Sequence, residues 1–82
     1  MFVVIENTPG YLPDDDEPAE FDTLAAARMY ARQRVQDLRE FHWDAGDRVR
    51  VRVSDDRRYW FVVCTTREHD LGRVVEIVEE PA

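Results

Sequence analysis

Residues 22–41, DTLAAARMYARQRVQDLREF, decide the fold. At roughly 100° per residue, Leu24, Ala27, Ala31, Val35 and Leu38 fall on one narrow stripe, so the segment reads as one helix lying on a sheet. The two central alanines put little bulk between the helix backbone and its partner, so the approach should be close, with larger residues supplied by the sheet. Asp22 or Thr23 is the expected N-cap, with Phe21 beside it as a staple. The helix should end near residues 41–43, where Asp44-Ala45-Gly46-Asp47 forms a turn with glycine available for a left-handed conformation.

Outward from the helix the chain is β-patterned. Residues 2–5, FVVI, form a short apolar run expected near the sheet centre. Residues 48–54, RVRVRVS, alternate cleanly, with Val49, Val51 and Val53 on one face and Arg48, Arg50 and Arg52 on the other. Ser54-Asp55-Asp56-Arg57 is the turn, and residues 58–65, RYWFVVCT, return. This strand is apolar on both faces, so the loop length sets its register. A two-residue loop sets Tyr59 and Phe61 among the arginines, and a three-residue loop sets Trp60 and Val62 there. Residues 66–72 lead to a last strand over 73–79, with Val74 and Val78 on one side and Val75 and Ile77 on the other. The expectation is an α+β domain spanning 1–82, with one helix on one face of a mostly antiparallel four-stranded sheet. The element order is β-α-β-β-β, and the strands run 2-3-4-1 across the sheet.

Eighty-two residues allow one modest core, and 44% hydrophobic content is enough to fill it. The formal charge of −7 repels nucleic acid and anionic membranes at long range. All eleven basic residues are arginine, the planar fork suited to carboxylates, phosphates and aromatic faces. The acids concentrate in a loop over 7–21, where Asp14, Asp15, Asp16 and Glu17 stand between Pro13 and Pro18. It reads either as a solvated linker or as a carboxylate-bearing docking segment. The spacing lacks the glycine and glutamate of a calcium loop.

Catalytic signals are weak. Cys64 sits in a strand pattern as a buried, inert thiol, and His42, His69 and Cys64 are too dispersed for a zinc set. No phosphate-binding or nucleophile-elbow motif occurs. The expectation is no enzyme activity, no cofactor and no metal. The first residues have no signal-peptide pattern, and no run approaches the ~18 apolar residues of a membrane span. A cytoplasmic protein without membrane partners is expected.

The opening VVIENTPGYLP, the acidic loop, the helix start FDTLAAARMYA and the closing HDLGRVVEIVE together resemble small acidic accessory proteins of actinobacteriophages. The resemblance spans most of the chain and implies a phage context, with the host cytoplasm as location, and no catalytic residues to carry over. The arginine-rich second strand departs from that pattern. The function expected is a non-enzymatic protein-interaction or host-modulating module that binds a host or phage protein, nucleic-acid mimicry by the acids being a special form. Its contact residues would be Asp14, Asp15, Asp16 and Glu17, or Arg48, Arg50 and Arg52 with Tyr59 and Trp60. The alternative is a nucleic-acid-binding module using the arginine/aromatic sheet face. A third reading packs two such faces together as a homodimer, and a fourth leaves the arginines stacked on aromatics simply to solubilise an open sheet face.

Overall fold

The computed structural model describes residues 1–7, 18–66 and 70–81. The fold is α+β, with one helix and a five-stranded antiparallel sheet. The strands are β1 (Phe2–Asn7), β2 (Ala19–Phe21), β3 (Arg48–Val53), β4 (Tyr59–Thr65) and β5 (Asp70–Glu79). Helix α1 spans Leu24–Asp44. Across the sheet the order is β2-β1-β5-β4-β3, so β2 and β3 are the edges.

The difference from the sequence expectation is β2. Ala19-Glu20-Phe21 falls inside the segment expected to be loop, and pairs with β1 through Phe2–Phe21, Val3–Glu20 and Val4–Ala19. The element order is therefore β-β-α-β-β-β. Three residues are too few to show a period of two, and only the pairing makes them a strand. β5 likewise starts at Asp70 rather than residue 73, because Leu71 pairs with Cys64 and Asp70 with Thr65.

The helix begins and ends by local chemistry. The Thr23 hydroxyl accepts the Ala26 amide at 3.1 Å, satisfying one of the first-turn donors. Behind it the Phe21 ring meets Tyr30 at 5.2 Å and fixes the chain's entry. At the far end Gly46 has φ +83°, and the Asp47 amide donates back to the His42 carbonyl at 2.9 Å.

Ala27, Ala31, Val35 and Leu38 are the helix's buried residues, the two alanines fully so. They rest on Val4, Trp60, Val62, Cys64, Val75 and Ile77. Small on the helix and large on the sheet, the two layers interlock closely. The opposite sheet face is not uniform. Toward β1 and β5 it carries the buried Val3 and Val74, outside the helix-packed cluster. Toward β3 it carries the arginine row. Between them the Phe61 ring covers Gly72, where an added Cβ would lie 2.9 Å from the ring.

Candidate functional site

The pairing of β3 with β4 sets Arg48 opposite Thr65, Arg50 opposite Val63 and Arg52 opposite Phe61. Tyr59 and Phe61 therefore share the arginine face, and Tyr59 is 40% exposed at its Arg52 end. Trp60 does not belong there. It pairs with Val53 and Val75 on the helix side and is buried in the core, so its place among the expected contact residues is corrected. The parity is that expected for a two-residue loop, although four residues separate the opposed Ser54 and Tyr59.

That loop is locked at its tip. The Ser54 amide donates to the Tyr59 carbonyl, and the Arg57 amide to the Ser54 carbonyl, each at 3.0 Å. The Asp56 carboxylate accepts the Ser54 hydroxyl at 2.6 Å and the Arg58 amide at 3.1 Å. Those bonds, the hydroxyl first, hold the Asp56 carboxyl below its usual range. Arg57 takes φ +56° as the chain reverses.

The distribution of arginine partners distinguishes the two sides of the molecule. Arg34 meets Glu6 at 2.9 Å, tying α1 to β1, and that hydrogen bond raises its pKa. Arg58 faces Glu79 at 3.7 Å and lies over the Phe2 ring at 5.8 Å. Arg28 donates to the Asp56 carbonyl at 2.7 Å. By contrast Arg48, Arg50 and Arg52 are exposed and form no ion pair and no ring contact with any described residue. Among the described residues, then, no ring stacks on the row itself. Arg32 and Arg39, on the helix flank beside β3, and Arg57 at the hairpin tip are unpaired in the same sense.

These six side chains surround one edge strand. On the helix side a groove of about 400 Å³ runs between Gln36, Arg39, Glu40, Trp43, Asp44 and Val49. Trp43 is 76% exposed, and a second hollow continues round it to Arg48, Arg50, Thr65 and Asp70. Further along, Arg32, Val53, Asp55, Arg57 and Trp60 line a third. Trp43, Arg32 and Arg39 were not singled out as site residues by the sequence. Helical phase puts them on one flank, but only the sheet order brings β3 beside that flank.

The acids Asp14, Asp15, Asp16 and Glu17 lie outside the described residues. Cys64 is buried, and burial, then the charge of Asp47, pushes its thiol up. That is the reverse of what activates a nucleophile. His42 Nδ1 meets Asp47 Oδ2 at 3.0 Å, a bond that staples the helix end to the start of β3. Among the described residues no group of three acids, histidines or cysteines could hold a metal ion, and no helix is long and apolar enough to cross a membrane. No family model, curated protein or solved structure matches this chain.

Proposed function

We propose that this chain is a non-enzymatic interaction module that binds an acidic protein surface through its β3 margin. In the phage setting implied by the sequence resemblance, that surface belongs to a host or phage protein. The observation that carries the reading is the segregation, around one edge, of arginines with no ion-pair partner among the described residues, in a chain of formal charge −7. Carboxylates lie nearby, with Glu40, Asp44, Asp55 and Asp70 lining the same hollows, yet none of them forms an ion pair with these arginines, whereas Arg34 and Arg58 do find acids. Arginine and exposed aromatics such as Trp43 and Tyr59 are also the side chains enriched where proteins meet.

Affinity capture from an actinobacterial lysate, with and without nuclease, tests this with wild type and an Arg48→Gln/Arg50→Gln/Arg52→Gln variant. A protein retained after nuclease and lost in the variant is expected. Equal retention by both would remove the margin from the contact.

A second reading is favoured by one feature, the exposed Tyr59 beside the row, because aromatics and cations on a sheet form a platform for single strands. Three phosphate contacts predict a log–log salt slope of about −2 for single-stranded nucleic acid. Binding of an oligonucleotide with that slope, lost in the same variant, would select this reading over the first.

A further inference from the structure

Among the described residues β3 is an edge strand, and its hydrogen-bonding alternation says which backbone groups have no described partner. The Ser54 amide donates to Tyr59, so Ser54–Tyr59 is a hydrogen-bonded pair. In an antiparallel ladder such pairs alternate with pairs whose amides and carbonyls point away. Counting back by twos, Arg52, Arg50 and Arg48 bond inward to β4. Val53, Val51 and Val49 then turn their N–H and C=O groups to the open edge. The edge therefore presents three donor–acceptor sites, with arginine side chains above them on the sheet face and the Trp43 groove below on the helix side.

Resting on the interaction reading above, we infer that β3 receives an extended acidic peptide of a partner protein as a sixth, antiparallel strand. The occupant alternates carboxylates with apolar side chains. Residues opposite Val49, Val51 and Val53 would exchange backbone hydrogen bonds with them and point to the helix side, where Val49, Trp43 and Gln36 line the groove. Residues opposite Arg48, Arg50 and Arg52 would be the closer, non-hydrogen-bonded pairs on the arginine face, and so would be glutamate or aspartate. Strand addition takes its affinity from the main chain and its specificity from alternate side chains.

A second copy is disfavoured as the occupant. The outward groups of two β3 strands match only when valine faces valine, and this register sets arginine opposite arginine. Like charges directly opposed destabilise a strand pair. The same charges that bar self-pairing select an acidic strand.

The test uses the full chain and fluorescent eight-residue peptides alternating glutamate and valine. One peptide is unmodified, one is N-methylated at its valines and one at its glutamates. Methylation at the valines removes the amides that would bond to β3, whereas methylation at the glutamates touches amides that face away. Expected are binding of the unmodified peptide, at least tenfold weaker binding of the valine-methylated one, and little change for the other. Amide exchange at Val49, Val51 and Val53 should slow at least tenfold in the complex. Because these arms modify the peptide, they do not depend on a variant that folds. Equal binding of all three peptides, lost in the triple Arg→Gln variant, would overturn strand addition while leaving the arginine margin as the contact. Failure of the unmodified peptide to bind would overturn this inference alone, since lysate capture decides the other separately. Preference for a single-stranded oligonucleotide over the peptide would overturn both.

Discussion

The β1 flank and the β3 margin use the same residue type for opposite ends. On the β1 flank Arg34 joins α1 to Glu6, and Arg58, at the end of the hairpin before β4, faces Glu79 of β5, so each guanidinium bridges two parts of the fold. Around β3 the guanidinium groups of Arg48, Arg50 and Arg52 hold nothing described. Arginine count alone is therefore uninformative, and partner assignment separates a scaffold arginine from one available to a ligand. The distinction carries an energetic signature. Removing flank arginines should loosen the fold slightly, while removing margin arginines should leave it alone.

Neither region holds the fold together; the layer between them does. Trp60 spans it, buried against the helix stripe of Ala27, Ala31 and Val35. Trp60→Ala should cost about 3–5 kcal/mol, the usual range for a large aromatic removed from a core. A chain of this size has about 4–12 kcal/mol in total. Urea denaturation should show a midpoint lowered by about a quarter or more, down to an unfolded protein at the low end of that range. A loss below about 1 kcal/mol would mean that Trp60 is a surface residue after all, and the margin would extend through it.

Much of this was legible beforehand, and the gaps have identifiable causes. The helix stripe was readable because Ala27, Ala31, Val35 and Leu38 repeat at helical spacing, and all four are buried. The alternation in β3 was readable because valine and arginine differ so sharply. β4 was not, since YWFVVC is apolar at every position and only the loop's parity puts Trp60 inside. β2 was hidden because its identity lies in pairing with β1 rather than in its own residues. The margin was half visible. Arg48, Arg50 and Arg52 announce themselves, but Arg32, Arg39 and Trp43 join them only through tertiary order.

The next largest effect is at the hairpin that ends the margin. Arg57 holds φ +56°, a conformation costing an L-residue about 1–2 kcal/mol. Glycine removes that cost but adds freedom to the unfolded chain, leaving a net gain of about 0.5–1 kcal/mol for Arg57→Gly. A thermal midpoint higher by roughly 4–8 °C per kcal/mol checks it. An unchanged or lowered midpoint would mean that the Arg57 side chain contributes to the fold, which would move it from the open margin to the paired group.

On the flank, a double-mutant cycle of Glu6→Gln and Arg34→Gln should return a coupling of about 0.5–1 kcal/mol. Both side chains are partly exposed, and solvent keeps such pairs near the surface range. Molar salt should shrink that coupling. A coupling near zero would erase the energetic half of the comparison, leaving the two regions different only in geometry.

The smallest effect is the most discriminating. Arg48→Gln, Arg50→Gln and Arg52→Gln should each change stability by no more than about 0.5 kcal/mol, as expected for exposed side chains with no ion pair among the described residues. Each keeps the alternation of β3 and its long stem, so the ladder to β4 survives. If the triple variant unfolds at the wild-type urea concentration yet loses its partner, the arginines serve binding and not folding. If it is instead destabilised by more than about 2 kcal/mol, the row has structural partners and the contrast between flank and margin fails. Near-zero cost is what leaves a surface free to be shaped by a ligand, because substitutions there are not also constrained by the core.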